Sequence, residues 1–178
     1  MAANAIRANS LYTIVDGPSW TQAEANAVRL GGHLVTISNR EEDSFVEYTF
    51  GRLEYFYPTN SPGSDLWDIC SFWLGLTDKD VEGSWKWISG EPVSYSHWGS
   101  GIPNNPGPAY PNHDYALTGY VIGGSSPLPE SGYWDDFPNT GAEAGWNVTS
   151  SAYKGIAEIP LNLSITRSST PKESAGSF

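Results

Sequence analysis

The chain has 178 residues, 39% of them hydrophobic and 13% aromatic, with 8 Trp and 10 Tyr, enough for the core of one domain, or of one domain plus a short appendage. Its formal net charge of -11 disfavours nucleic acid or an anionic membrane as partner. One cysteine, Cys70, permits no internal disulfide and no cysteine-rich metal site, and no apolar run is long enough to span a bilayer.

Nineteen Gly and 13 Pro favour a loop-rich fold over a helical bundle. The residues from Ser10 to Val15 read as a short strand, closed by Asp16-Gly17-Pro18. Ser19 offers a helix N-cap, with Gln22 completing a capping box. Trp20, Ala23, Ala27 and Leu30 then recur at helical spacing until Gly31-Gly32 ends the helix. His33 to Ile37 is a second short strand. Ser38 and Glu41 form another capping box, and Glu41, Glu42 and Asp43 suit the positive end of a second helix reaching about Arg52.

Tyr55 to Cys70 carries Pro58, Asn60, Pro62 and Gly63 and reads as a surface loop. Cys70 itself lies in an apolar neighbourhood and reads as a small buried hydrophobe. Phe72 to Leu76 is a strongly apolar, central strand. Thr77 to Gly83 is a carboxylate-rich turn, and Ser84 to Ile88 an alternating strand. Asp114 to Ile122 is a further strand, Gly123 to Gly132 a loop, Gly145 to Thr149 an extended segment, and Tyr153 to Ile159 a last strand stopped by Pro160. A strand, two helices and then several short strands describe an α+β domain with helices segregated from antiparallel sheet.

The stretch Trp98–Asp136 organises this chain. Ile102-Pro103-Asn104-Asn105 opens it, Tyr133-Trp134-Asp135-Asp136 closes it, and Pro106 to Pro111 between them is too rich in Pro and Gly for helix or central strand. Long loops in compact domains are usually functional or disordered, and the aromatic content argues against disorder. Two clusters of amide and carboxylate oxygens flanking such a loop suit calcium, which takes ~6–8 oxygens in flexible geometry. Asp78 and Glu82 bracket one tight turn, either as turn residues or as oxygens converging on an ion. Nothing in the chain resembles a Ser elbow, a Cys-His pair or an isolated carboxylate pair, so an enzyme is not expected.

The ordered series Trp20 with Ala23, Gly31 to Ile37, the second helix from Ser38, Phe72 to Leu76, Gly83 to Trp87, Pro103-Asn104-Asn105, Trp134-Asp135-Asp136 and Gly155 to Ile159 resembles the C-type lectin-like domain, over roughly Leu11 to Ile159. No single piece is specific; their order is. The resemblance implies a C-type lectin-like fold, two helices packed on short antiparallel sheets with a long loop region. The family's usual disulfides are missing: Ala27 and Ala157 stand where one pair would be, and Tyr115 where one member of the other would be. That cysteine-poor form is similar to bacterial members.

The resemblance further implies calcium (Ca2+) carried by the loops. For an auxiliary ion, Asp78, Glu82, Asn105 and Asp114 match the family's ligands. For the sugar-binding ion, Asn104, Asp135 and Asp136 match, but Ile102 replaces the leading Glu or Gln and His113 the later Glu. Neither suits a hard cation: Ile has no oxygen, and imidazole prefers softer metals. Ligand contact is therefore assigned to Asn104, Asp135, Asp136 and His113, with Trp98 and Tyr110 as stacking candidates and Tyr133 beside them. Trp73, Trp85 and Trp87 read as core, and His33 and His97 as structural. The resemblance also implies that the Ile102–Pro103 bond is often cis.

The implied function is non-enzymatic recognition: calcium-dependent carbohydrate binding and adhesion at an extracellular or cell-surface location. The alternative is a protein-binding or structural module, or an ice-binding one, without sugar recognition. Residues 1–160 are read as the domain, and 161–178 as a linker or the start of a following β module, in which Leu163 to Arg167 is similar to the first strand of a Calx-beta repeat. The partner is then a glycan or a cell-surface protein, and the chain part of a larger multidomain protein. Asn147-Val148-Thr149 and Asn162-Leu163-Ser164 are glycosylation sequons by pattern.

Overall fold

The computed structural model describes residues 4–51, 68–105, 112–122, 132–140 and 153–161, without the side chains of 68–71 and 119–122. The expectations for Tyr55 to Trp67, Gly145 to Thr149, the tail from Asn162 and the side chain of Cys70 lie outside those described. The elements are β1 (Asn4–Arg7), β2 (Ser10–Asp16), α1 (Trp20–Arg29), β3 (His33–Leu34), α2 (Arg40–Phe50), β4 (Asp68–Thr77), β5 (Lys86–Trp87), β6 (Tyr115–Ile122), β7 (Trp134–Phe137) and β8 (Lys154–Pro160). They form one sheet in the order β1-β2-β8-β4-β6-β7, with β3 added on β8 and β5 on β4. All pairs are antiparallel except β4 with β8, where Phe72 and Trp73 run parallel to Lys154 and Gly155. The expected α+β class holds, with a mixed rather than purely antiparallel sheet.

Local chemistry sets most of these boundaries. Ser19 Oγ accepts the Gln22 amide at 3.2 Å, as the cap reading requires. At the other end of α1, Gly31 at φ +86° donates to Val28 O and Gly32 to Ala27 O, a Schellman pair that only a residue tolerant of the left-handed region closes without strain. The cap of α2 is one residue later than expected. Asn39, not Ser38, accepts the Glu42 amide at 2.9 Å, while Glu42 Oε2 reaches back to the Ser38 amide at 2.8 Å. The box therefore forms from Asn39 and Glu42, and the helix ends at Phe50.

Three strand expectations are corrected. The stretch His33–Ile37 pairs as a ladder only at His33 and Leu34, because Val35 turns its amide to Ile156 O and its carbonyl to the Gly75 amide. Ser84–Ile88 contracts to Lys86–Trp87. β4 begins at Asp68, within the expected loop, since Asp68 to Trp73 pair continuously with Ile122 to Leu117. β1 and β7 were not expected as strands, and Pro160 closes β8 from inside rather than after it.

Side chains alternate across the sheet into two cores. Tyr12, Phe72, Leu74, Leu76, Ala116, Trp134 and Ile156 face one way, against Val46 and Phe50 of α2. Val15, Trp73, Tyr115, Leu117 and Ala157 face the other, against Trp20, Ala23 and Ala27 of α1. The helices therefore lie on opposite faces.

β4 leaves the register of β6 between Trp73 and Thr77. In that gap Trp20 Nε1 donates to Leu74 O at 2.7 Å, the Gly75 amide to Val35 O at 2.9 Å, and the Ile88 amide to Gly75 O at 2.7 Å. A Cβ on Gly75 would lie 2.5 Å from the Leu34 carbonyl oxygen. Gly75→Ala is therefore expected to cost about 1–3 kcal/mol by overpacking against backbone that cannot yield. Urea unfolding checks this; an unchanged midpoint would show that the close approach relaxes freely.

Candidate functional site

The end of β4 delivers the first candidate residues. Thr77 Oγ1 donates to Asp114 O at 2.7 Å and the Asp78 amide to the same oxygen at 3.1 Å, which sews the turn to the start of β6. Asp78 is buried, and its Oδ2 accepts the Gly83 amide at 2.8 Å across the turn. Its other oxygen, Oδ1, is buried with no hydrogen-bond partner among the described residues. Burial, and then the charges of Glu82 and Asp114, push the Asp78 carboxyl above the usual range against the lowering effect of Gly83. Burial does the same to Asp114, offset by His113. A cavity of about 150 Å³ opens beside Asp78, lined also by Thr77, Lys79, Ser84, Lys86 and Trp87.

Asn105 joins this turn to the long loop. Its Nδ2 donates to Glu82 Oε2 at 2.6 Å and its Oδ1 accepts the His113 amide at 3.3 Å. Asp78, Glu82, Asn105 and Asp114 thus share one neighbourhood. Among the described residues no three His, Cys, Asp or Glu side chains stand ready as a metal cage. The arrangement nonetheless fits a cation: a buried carboxylate oxygen without a donor, held among like charges, is what an ion relieves.

The second candidate set is arranged differently. Asp136 is buried on β7, and its two oxygens accept the backbone amides of Asn104 at 3.0 Å and Asn105 at 2.9 Å. Asp135, half-buried, uses Oδ1 to accept the Asp136 amide at 2.9 Å. Asn104 is exposed, and Ile102 is half-buried before a cis bond to Pro103. His113 is only 2% exposed, its ring stacked on Phe137 at 5.8 Å and its Nδ1 3.8 Å from Asp136 Oδ2. It faces the protein interior rather than the loop's outer surface. Tyr110 lies outside the described residues.

Trp98 is half-buried and packs the base of the loop. It lies 4.7 Å from Trp85 and 5.7 Å from Trp134, whose backbone pairs with His97 and Gly99. Trp87 and Tyr95 also meet the edge of Trp134. Tyr133 rests on the His97 ring at 4.7 Å.

Asp43 anchors this cluster, and sequence reading missed it. Buried on α2, it accepts Trp134 Nε1 at 3.2 Å and the Tyr95 hydroxyl at 3.0 Å. His97 Nδ1 sits 2.6 Å from its Oδ2, out of line for a hydrogen bond. Burial and then Asp43 push the Tyr95 hydroxyl up to about 12. The available signal was an acid at the helical spacing of Val46 and Phe50, on the face the helix buries.

The raised carboxyls give a pH dependence of definite sign. A carboxyl whose folded pKa exceeds its unfolded one, about 3.9 for Asp, destabilises once ionised. In chelator, stability is expected to fall as pH rises from about 4 through the raised pKa values of Asp78 and Asp114. Asp78→Asn keeps an acceptor for Gly83 and removes the charge, so it is expected to flatten that fall and leave the metal-free protein at least as stable at neutral pH. Melting curves across pH check this; a steeper fall in the variant would contradict it.

Among the described residues no helix is long and apolar enough to cross a membrane. Residues 16–115 match the family described as Lectin C-type domain. Human C-type lectin domain family 4 member E is 34% identical over 92 residues, 51% of this chain and 35% of its own. The Perlucin-like protein of Mytilus galloprovincialis is 31% identical over 101 residues, 56% of each. The chain thus spans between a third and just over half of the length of these curated relatives. In fold it is similar to the cow carbohydrate-recognition domain of CD23, solved in the presence of a GlcNAc2Man3 oligosaccharide, at TM-score 0.59 and 24% identity over 89% of this chain and 93% of that one. It is likewise similar to a calcium-independent type II antifreeze protein, at TM-score 0.57 and 21% identity over 90% and 93%. The family match covers more than half of the chain, and its conclusion is plain: this chain belongs to the C-type lectin domain family.

Proposed function

We propose that the chain is an extracellular or cell-surface module that recognises glycans, with one calcium ion ordering the base of its long loop. The observation that carries the calcium reading is the buried, donorless Asp78 Oδ1 among Glu82 and Asp114. Asp78, Glu82, Asn105 and Asp114 would hold the ion, which would neutralise charges that otherwise repel. The glycan reading is supported by family membership and by the exposed Asn104 at the loop's mouth. Adhesion within a larger surface protein, with 1–160 as the recognition unit and 161–178 leading onward, belongs to the same proposal. The bacterial style is carried by the absent disulfides alone, since the relatives named above are human and mussel proteins.

A second reading, a protein-binding or surface-binding module without sugar, is favoured by Ile102 and by the calcium-independent antifreeze neighbour. Thermal unfolding in calcium and in chelator, followed by a glycan array under both conditions, separates them. A site held at about a hundred times its Kd adds roughly 2.7 kcal/mol. The proposal expects a rise of that order, its loss in Asp78→Ala, and glycan binding in calcium. An unchanged melting temperature would remove the calcium reading, and an empty array the glycan reading.

A further inference from the structure

The residues around Asp136 do not fit the sugar-bridging calcium that the resemblance places there. Asp136 points its carboxylate, with 0% side-chain exposure, at the consecutive amides of Asn104 and Asn105. Each of the two N–H groups meets its own carboxylate oxygen, Asn104 at Oδ1 and Asn105 at Oδ2, so two consecutive backbone donors face one anion. The His113 ring lies on the same carboxylate, 3.8 Å away, and the His113 amide closes the circle onto Asn105 Oδ1 at 3.3 Å. A cation placed here would share each oxygen with an N–H donor and would sit near the positive ends of those donors. Ile102 adds no oxygen, and the Asn104 side chain faces solvent.

We infer that Asp136 is a metal-free clasp: a positioning residue whose buried carboxylate accepts two consecutive loop amides and fastens the mouth of the long loop to β7. The chain's own dipoles do what an ion does elsewhere. A ligand reaching this rim meets Asn104 and the loop backbone directly, with no ion between them. The clasp shares Asn105 with the calcium set assigned to the Asp78 cluster, through its backbone amide here and its side chain there.

Amide hydrogen exchange of the full chain in chelator tests it without any substitution. The Asn104 and Asn105 amides are expected to be protected to the same degree, within about threefold, in chelator and in calcium. Exchange at unprotected rates in chelator, with protection restored by calcium, would overturn the clasp. In a second arm, bound calcium per chain is counted for the native protein and for Asp136→Asn. An unchanged count with a lowered melting temperature supports the clasp, and loss of an ion that Asp78→Ala retains overturns it. Should the variant fail to fold, the exchange measurement on the native chain decides. Should the native chain bind no ion at all, protected amides still support the clasp, while the calcium reading of the Asp78 cluster fails by itself.

Discussion

The interruption of β4 is the constraint on which the site depends. A strand that stayed in register with β6 through Leu76 would have no carbonyl free for the Trp20 indole at Leu74 and no gap for the Val35 segment. The departure is possible because Gly75 presents no Cβ to the Leu34 carbonyl. It lets one strand bond to β5, β6, β8 and the segment after β3, tying α1 to the sheet by an indole donor. It also sets where Thr77 and Asp78 rejoin β6, at Asp114 O, and so places the carboxylate turn under the long loop.

With no disulfide, noncovalent contacts hold the loop end of the molecule. A native disulfide in a small secreted domain contributes about 2–5 kcal/mol. Aromatic pairs contribute ~0.5–1.5 kcal/mol each beyond area burial, and Trp134 meets three such partners around a fully buried ring. Asp43 converts that cluster into a link with α2, through the Trp134 indole and the Tyr95 hydroxyl. On the opposite face, Ala27 and Ala157, where the resemblance places a cysteine pair, are both fully buried in one core. Their small size lets α1 approach the sheet closely.

What could be read from the chain beforehand divides along physical lines. Elements fixed by local chemistry were legible: the Ser19 cap, the Gly31 stop, the apolar run from Phe72 and the strand after Asp114. The shift of the second cap from Ser38 to Asn39 was not, because both residues cap well and tertiary placement chose between them. β7 was hidden because Trp134 to Phe137 carries two acids in four residues, and its pairing is set by β6. The proximity of Asp78, Glu82, Asn105 and Asp114 came from the resemblance rather than from periodicity. The amide pair on Asp136 came from neither, since it rests on backbone N–H groups that no side-chain pattern records.

The central claim is an asymmetry between two acidic positions: one buried oxygen of Asp78 lacks a donor, whereas both oxygens of Asp136 accept a backbone amide. Diffraction from crystals soaked in a lanthanide, mapped by its anomalous signal, tests this most directly. The account predicts a peak within coordination distance of Asp78 Oδ1 and none at Asp136. A peak at Asp136, or none beside Asp78, would contradict it.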